Sequence, residues 1–151
     1  LPNDRGGNQL KIDNDRRRLH GFWDFDLVRS LMTVTNKPTS EDLGIFLRQS
    51  VQPKPSWNVS GSLNTWAAKW ASDSLTQSRS NAYRSVRIVR KRIIPVLRDG
   101  EPVISNGQVV TETVYDITRP NDYESANREV VRVQLAKAGF RLALLLDAIF
   151  Q

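Results

Sequence analysis

The sequence predicts a mainly α-helical domain with a small β-hairpin excursion near residues 96–118, and three observations predict it. Apolar residues recur at steps of three and four through Leu19, Phe22, Trp23, Leu27, Leu31 and Met32. The same spacing returns through Val130, Val133, Leu135, Ala138, Leu142 and Leu145; such spacing marks amphipathic helices. Strand-like signals are confined to a short alternating stretch at 9–13 and to residues 96–118, where Asp99-Gly100 and Asn106-Gly107 are hairpin turn dipeptides.

In chain order, Gly6-Gly7-Asn8 opens a loop and Gln9-Leu10-Lys11-Ile12-Asp13 alternates as a half-buried strand does, with Asn14-Asp15 turning it. The first helix then runs from Leu19 to about Val34 and ends at Asn36-Lys37-Pro38. Thr39 or Ser40 followed by Glu41-Asp42 starts a second helix that reaches about Ser50, with Leu43, Phe46 and Leu47 facing inward. Pro53, Pro55 and Gly61 make a loop. A third, longer helix is expected over 63–89, with Trp66, Trp70 and Leu75 on its apolar side and a basic far end stopped by Pro95. The excursion that follows is expected to be peripheral. The last helix starts near Pro120-Asn121-Asp122 and continues to the C-terminus, with Gly139 allowing close packing. No internal repeat stands out.

The length of 151 residues fits one domain that buries roughly 70% of the surface its unfolded chain exposes. There is no cysteine and only one histidine, His20, so disulfide frameworks and thiolate zinc fingers are excluded; a transition metal must be held by His and carboxylate. Twenty-two Lys and Arg against sixteen Asp and Glu give a formal +6, which favours polyanionic partners, either nucleic acid or an anionic membrane surface. No apolar run reaches the length of a membrane span, so stable membrane insertion is not expected. Leu1-Pro2-Asn3-Asp4 has neither an initiating Met nor the features of a signal peptide, and Leu1 reads as a cut point inside a longer protein.

Two short motifs carry chemistry. His20 and Asp24 are four residues apart, which on a helix puts both side chains on one face within reach of one ion, a bidentate metal clip. The same spacing also suits a surface ion pair. Upstream, Gly6 and Gly7 let backbone approach a ligand closely and Asn8 offers an amide to a base edge, although an ordinary tight turn has the same composition. Arg16-Arg17-Arg18 can hold phosphates or form a solvated charge run.

Taken together, four motifs resemble a known family: Asp4-Arg5-Gly6-Gly7-Asn8; Leu19-His20-Gly21-Phe22-Trp23-Asp24; the stretch Trp66-Ala67-Ala68-Lys69-Trp70-Ala71-Ser72-Asp73-Ser74; and Gln134-Leu135-Ala136-Lys137-Ala138-Gly139-Phe140-Arg141-Leu142-Ala143. In that order they look like the C-terminal half of the zinc-dependent single-strand-specific nucleases and 3′-nucleotidases, typified by nuclease P-one and nuclease S-one. The resemblance implies a helical bundle of the phospholipase C and single-strand nuclease type, with three zinc ions in the complete enzyme, one of them partly liganded by this chain.

On that resemblance His20 and Asp24 are ligands of one ion, and Asn8, with Gly6 and Gly7, meets the nucleobase. Trp66, Trp70 and Asp73 fall on the long helix, where the tryptophans are expected to be core. The family's other His and Asp ligands precede the point where this chain begins. Asp4, Asp13 and Asp26 are candidates for a third ligand, without support from their spacing. The implied partners are single-stranded DNA or RNA, nucleotides, and a missing N-terminal polypeptide of the same protein; the implied location is secreted or periplasmic. Two other readings are open. One is a phospholipase C-like zinc phosphodiesterase. The other is a non-catalytic nucleic-acid-binding fragment in which Arg84, Arg87, Arg90, Lys91 and Arg92 track phosphates.

Overall fold

The computed structural model describes residues 4–12 and 17–150. Asp13, the turn at Asn14-Asp15 and Arg16 lie outside the described residues. Helix takes the larger share of the chain, and it divides into two compact units, one formed by Leu1–Asp24 with Val86–Pro120, the other by Phe25–Ser85 with Asn121–Gln151.

The first unit is built on a four-stranded sheet of order β2-β1-β8-β3: β1 is Leu10–Ile12, β2 Arg17–Arg18, β3 Arg87–Pro95 and β8 Thr111–Thr118. β1 runs parallel to β8, and β3 runs antiparallel to it with Pro95 opposite Thr111. Leu10, Ile12, Val114 and Ile117 of the sheet are buried, as are Leu19 and Phe22 of the helical segment that follows β2. The sheet is thus larger than the excursion expected at 96–118. β8 is one of its inner strands, with Val114 fully buried, and β3 takes residues expected to finish the third helix. Arg87–Pro95 is rich in Ile and Val, which fit a pleated surface, and its long antiparallel pairing with β8 outweighs helical continuation.

Between β3 and β8 the chain makes two small hairpins, β4 (Leu97–Arg98) with β5 (Glu101–Pro102), and β6 (Ile104–Ser105) with β7 (Gln108–Val109). Asp99-Gly100 and Asn106-Gly107 turn them with positive φ at all four residues (53°, 88°, 50° and 74°), the two-residue geometry expected of these dipeptides. Where these two hairpins meet the end of the β3–β8 pair, Val103 N–H donates to Val96 carbonyl, Val110 to Val103 and Val96 to Val110, each at 2.8 Å. This closed ring reflects a seven-residue repeat that the sequence reading passed over: Pro95-Val96-Leu97-Arg98-Asp99-Gly100-Glu101 followed by Pro102-Val103-Ile104-Ser105-Asn106-Gly107-Gln108.

The second unit is helical, with α2 (Leu27–Val34), α3 (Ser40–Ser50), α4 (Trp66–Gln77) and α5 (Tyr123–Phe150). Thr39 caps α3 by accepting from the Asp42 N–H at 3.0 Å. Leu27, Leu31, Leu43 and Leu47 are buried, as α2 and α3 pack on α5. A π-helical turn, Ser78–Ala82, follows α4, and the Tyr123 hydroxyl donates to the Ala82 carbonyl at 2.6 Å, which satisfies one of the carbonyls a helix end leaves open. The expected helix over 63–89 therefore stops at residue 82.

Two packing expectations are corrected here. α4 has no buried residue, so Trp66 and Trp70 are not core; they lean on each other with ring centroids 5.9 Å apart. On α5 the buried line is Tyr123, Asn127, Val131, Lys137 and Arg141, while Leu135 and Leu142 stay exposed and Gly139 has no close neighbour. The reason is one carboxylate. Asp73 of α4 accepts from Lys137 Nζ at 2.5 Å and Arg141 Nη1 at 3.0 Å, so two cations can lie buried on α5. Arg141 Nε also reaches the Trp57 carbonyl at 3.4 Å, and Trp57 packs edge-on against Phe140.

Candidate metal centre and base loop

All the residues proposed for the site except Asp26 belong to the first unit. Asp4 through Gln9 form a tight loop that leads into β1. Arg5, Gly6 and Gly7 take left-handed backbone angles in succession (φ 53°, 66° and 88°), which only glycine adopts at no steric cost. The Asp4 carboxylate accepts from the Gly6 N–H at 3.0 Å and so closes the loop from inside. Asn8 bonds its own loop as well, Nδ2 donating to the Arg5 carbonyl at 3.0 Å, while its carbonyl takes a guanidinium N–H of Arg18. Arg18 also pairs with Glu112 of β8 at 3.0 Å, so it is a strut between the loop and the sheet.

β2 runs straight into α1 (Leu19–Gly21), which carries His20, and then into a π-helical turn, Phe22–Asp26, which carries Asp24. Phe22 is buried between these two side chains in sequence and anchors the turn, with the Arg119 guanidinium 4.7 Å from its ring centroid. Single π turns inside helices are rare and concentrate at functional sites.

The side chains of His20 and Asp24 meet, Nε2 and Oδ2 lying 3.0 Å apart with both side chains about half exposed. On its other side, His20 Nδ1 is 3.2 Å from the Gly6 carbonyl oxygen. The His20 backbone N–H donates to the Gly7 carbonyl at 3.4 Å. Loop and clip are therefore one structure.

A carbonyl oxygen only accepts, so the Gly6 contact is a hydrogen bond in the tautomer with its proton on Nδ1; that tautomer leaves the lone pair on Nε2, facing a carboxylate. Two electron-rich atoms at 3.0 Å need a proton or a cation between them. A proton makes an exposed ion pair of small worth; a divalent ion makes a chelate. Two ligands of a tetrahedral zinc, each about 2.0–2.2 Å from the ion, stand roughly 3.3 Å apart, so the pair fits zinc with only a small adjustment. The Gly6 carbonyl stands where a metal-ligating histidine would have its outer partner. Sequence reasoning missed it, because a backbone acceptor leaves no side-chain signature.

The third ligand is not supplied nearby: among the described residues no group of three or more His, Asp or Glu could hold an ion. Asp4 is bonded to Gly6 N–H. Asp13 lies outside the described residues, and Asp26 joins no such group. A separate cavity of about 290 Å³ in the second unit is lined by Trp70, Ser74, Lys137, Arg141 and Leu142. Its two cations already share Asp73.

By class the chain is a nuclease: residues 1–151 match the family model described as S1/P1 Nuclease. It belongs to the S1/P1 nuclease family. No curated protein and no solved structure matches it. The match spans the Gly6-Gly7-Asn8 loop, the His20–Asp24 pair and the Asp73–Lys137–Arg141 cluster, in which the stretches 66–74 and 134–143 meet at one carboxylate. Among the described residues no helix is long and apolar enough to cross a membrane.

Proposed function

We propose that this chain is part of a zinc-dependent endonuclease that hydrolyses single-stranded nucleic acid to 5′-phosphates and also acts as a 3′-nucleotidase. The observation that carries the proposal is the double fixing of His20, whose Nδ1 is held by the Gly6 carbonyl while Nε2 faces Asp24. His20 and Asp24 would hold one of three zinc ions. Because catalytic zinc keeps three protein ligands and an open position, the rest of the ligand set would come from outside the described residues. The fold of the complete enzyme would be the helical bundle shared with phospholipase C.

A zinc ion there supplies Lewis acidity toward a phosphoryl oxygen and eases the deprotonation of water. The chain's own residues do the rest of what can be assigned. The Gly6 carbonyl sets the ring's tautomer and aim. Gly6, exposed and without a side chain, leaves the loop open to a nucleotide, Gly7 shapes the turn from a buried position, and the amide of Asn8, held through Nδ2 by the Arg5 carbonyl, would meet the base. A base must leave its stack to reach such a loop, which favours single strands. The family match and this loop favour a nuclease over a lipid-directed enzyme, and the site of action would be periplasmic or extracellular.

In the complete protein, His20→Ala and Asp24→Ala should each lose one zinc by elemental analysis and nearly all activity on denatured DNA. Full zinc occupancy in either variant would refute the assignment. Hydrolysis of phosphatidylcholine micelles in preference to DNA would favour the lipid-directed reading.

A further inference from the structure

The chain's excess positive charge comes from one stretch. Residues 74–98 hold seven of the 22 Lys and Arg and none of the 16 acids, which leaves fifteen cations against sixteen acids elsewhere. Four of the seven, Arg87, Arg90, Lys91 and Arg92, lie on β3, an edge strand of the sheet. The bulge between Ile88 and Arg90 sorts them. Arg87 and Arg90 register with Thr118 and Asp116, two positions apart on β8, so both share a face with Arg92, which registers with Val114; Lys91 takes the other face beside Tyr115.

The acids on that shared face are already engaged. Asp116 receives Arg92 at two atoms, Nε to Oδ2 at 2.9 Å and Nη2 to Oδ1 at 2.6 Å, and Glu112 receives Arg18. Among the described residues, Arg87, Arg90 and Lys91 are exposed and have no carboxylate partner. We infer that the exposed edge of β3 is a docking track for the phosphate backbone of single-stranded nucleic acid, with Arg87 and Arg90 from one face and Lys91 from the other as its contacts.

Charge complementarity favours this partner over an anionic membrane. A membrane would take up the exposed apolar tip of the excursion, Leu97 and Ile104, but that tip carries Arg98 against Asp99 and Glu101, and the unpaired cations sit on the stem. The inference rests on the nuclease reading only for the presence of such a strand. His20 follows β2 at the opposite edge of the same sheet, three strand spacings or about 14 Å from β3. A nucleic acid that occupies both must therefore be longer than a dinucleotide.

The test is fluorescence anisotropy of a labelled oligothymidylate about twenty nucleotides long against the full chain in chelator, so the outcome does not depend on any metal. In the Arg87→Gln/Arg90→Gln/Lys91→Gln variant, affinity at 0.1 M salt should fall about tenfold or more, and the slope of log K against log salt should shrink by about 2. Arg87→Lys/Arg90→Lys/Lys91→Arg should keep the slope. An equal loss in Arg29→Gln/Arg48→Gln/Lys54→Gln, three exposed cations on the helical unit, would show that net charge alone acts and would overturn the inference. So would unchanged oligonucleotide binding, whether accompanied by loss of binding to phosphatidylserine vesicles, which would mean a membrane partner, or by self-association in sedimentation, which would mean the cations only guard the strand edge.

Discussion

Replacing Asp73 by Asn probes the contact that joins α4 to α5. The Asp73 carboxylate is the partner of both Lys137 and Arg141, which are only 7% and 9% exposed. Removing one member of a buried ion cluster costs about 3–5 kcal/mol, because the remaining charges stay buried without compensation. Asp73 keeps 26% of its side-chain surface in water, so solvent screens part of that, and about 2–3 kcal/mol is the expected loss. For a chain of this size that lowers Tm by about 5–10 °C.

The loss should depend on pH. Burial pushes the Asp73 carboxyl up, but the hydrogen bonds and charges of Lys137 and Arg141 outweigh it and hold the group below its ordinary 3.8. A carboxylate whose folded pKa is depressed stabilises the fold above its unfolded value, and that stability disappears as pH falls through the folded value. The difference between wild type and Asp73→Asn, measured by urea unfolding at pH 7 and then at successively lower pH, should therefore shrink below 3.8. The triple variant Asp73→Leu/Lys137→Met/Arg141→Met should recover most of the loss, since apolar replacement of a whole buried cluster is often neutral or stabilising. An Asp73→Asn protein within about 0.5 kcal/mol of wild type at neutral pH, the range of an ordinary surface change, would refute the reasoning.

Two further outcomes are expected. Gly6→Ala places a side chain at φ 66° and should cost about 1–2 kcal/mol in thermal unfolding; by turning the carbonyl that holds His20 it should also weaken zinc binding by about tenfold to a hundredfold in calorimetric titration. Thr39→Ala removes the acceptor for the Asp42 N–H and should cost about 1 kcal/mol by urea unfolding, with no effect on zinc binding.

Local patterns in the sequence were legible and distant ones were not. Leu19, Phe22, Leu27 and Leu31 announce their helix by spacing, Thr39 announces a cap, and Asp99-Gly100 and Asn106-Gly107 announce turns; all of these are decided within a few residues. The His20–Asp24 contact was legible for the same reason, being one helical turn long. The end of the third helix was not, because Arg87–Pro95 becomes a strand through pairing with Thr111–Thr118, some two dozen residues away. The Ile and Val content of that segment was a usable signal that the basic run obscured. Burial of Lys137 in place of its apolar neighbours depends on Asp73, 64 residues earlier, and no periodicity predicts a charged residue on a buried line. The position of the Gly6 carbonyl is likewise a product of backbone angles.

His20 is the only histidine in the chain, so a single imidazole can be followed without assignment. Long-range proton–nitrogen NMR of that ring, recorded on the intact protein before and after one equivalent of zinc, should show Nδ1 keeping its proton throughout and the Nε2 resonance moving to a metal-bound position. A ring whose Nε2 signal stays put as zinc is added, or one that binds the ion through Nδ1, would contradict the claim that the Gly6 loop aims this histidine at a metal.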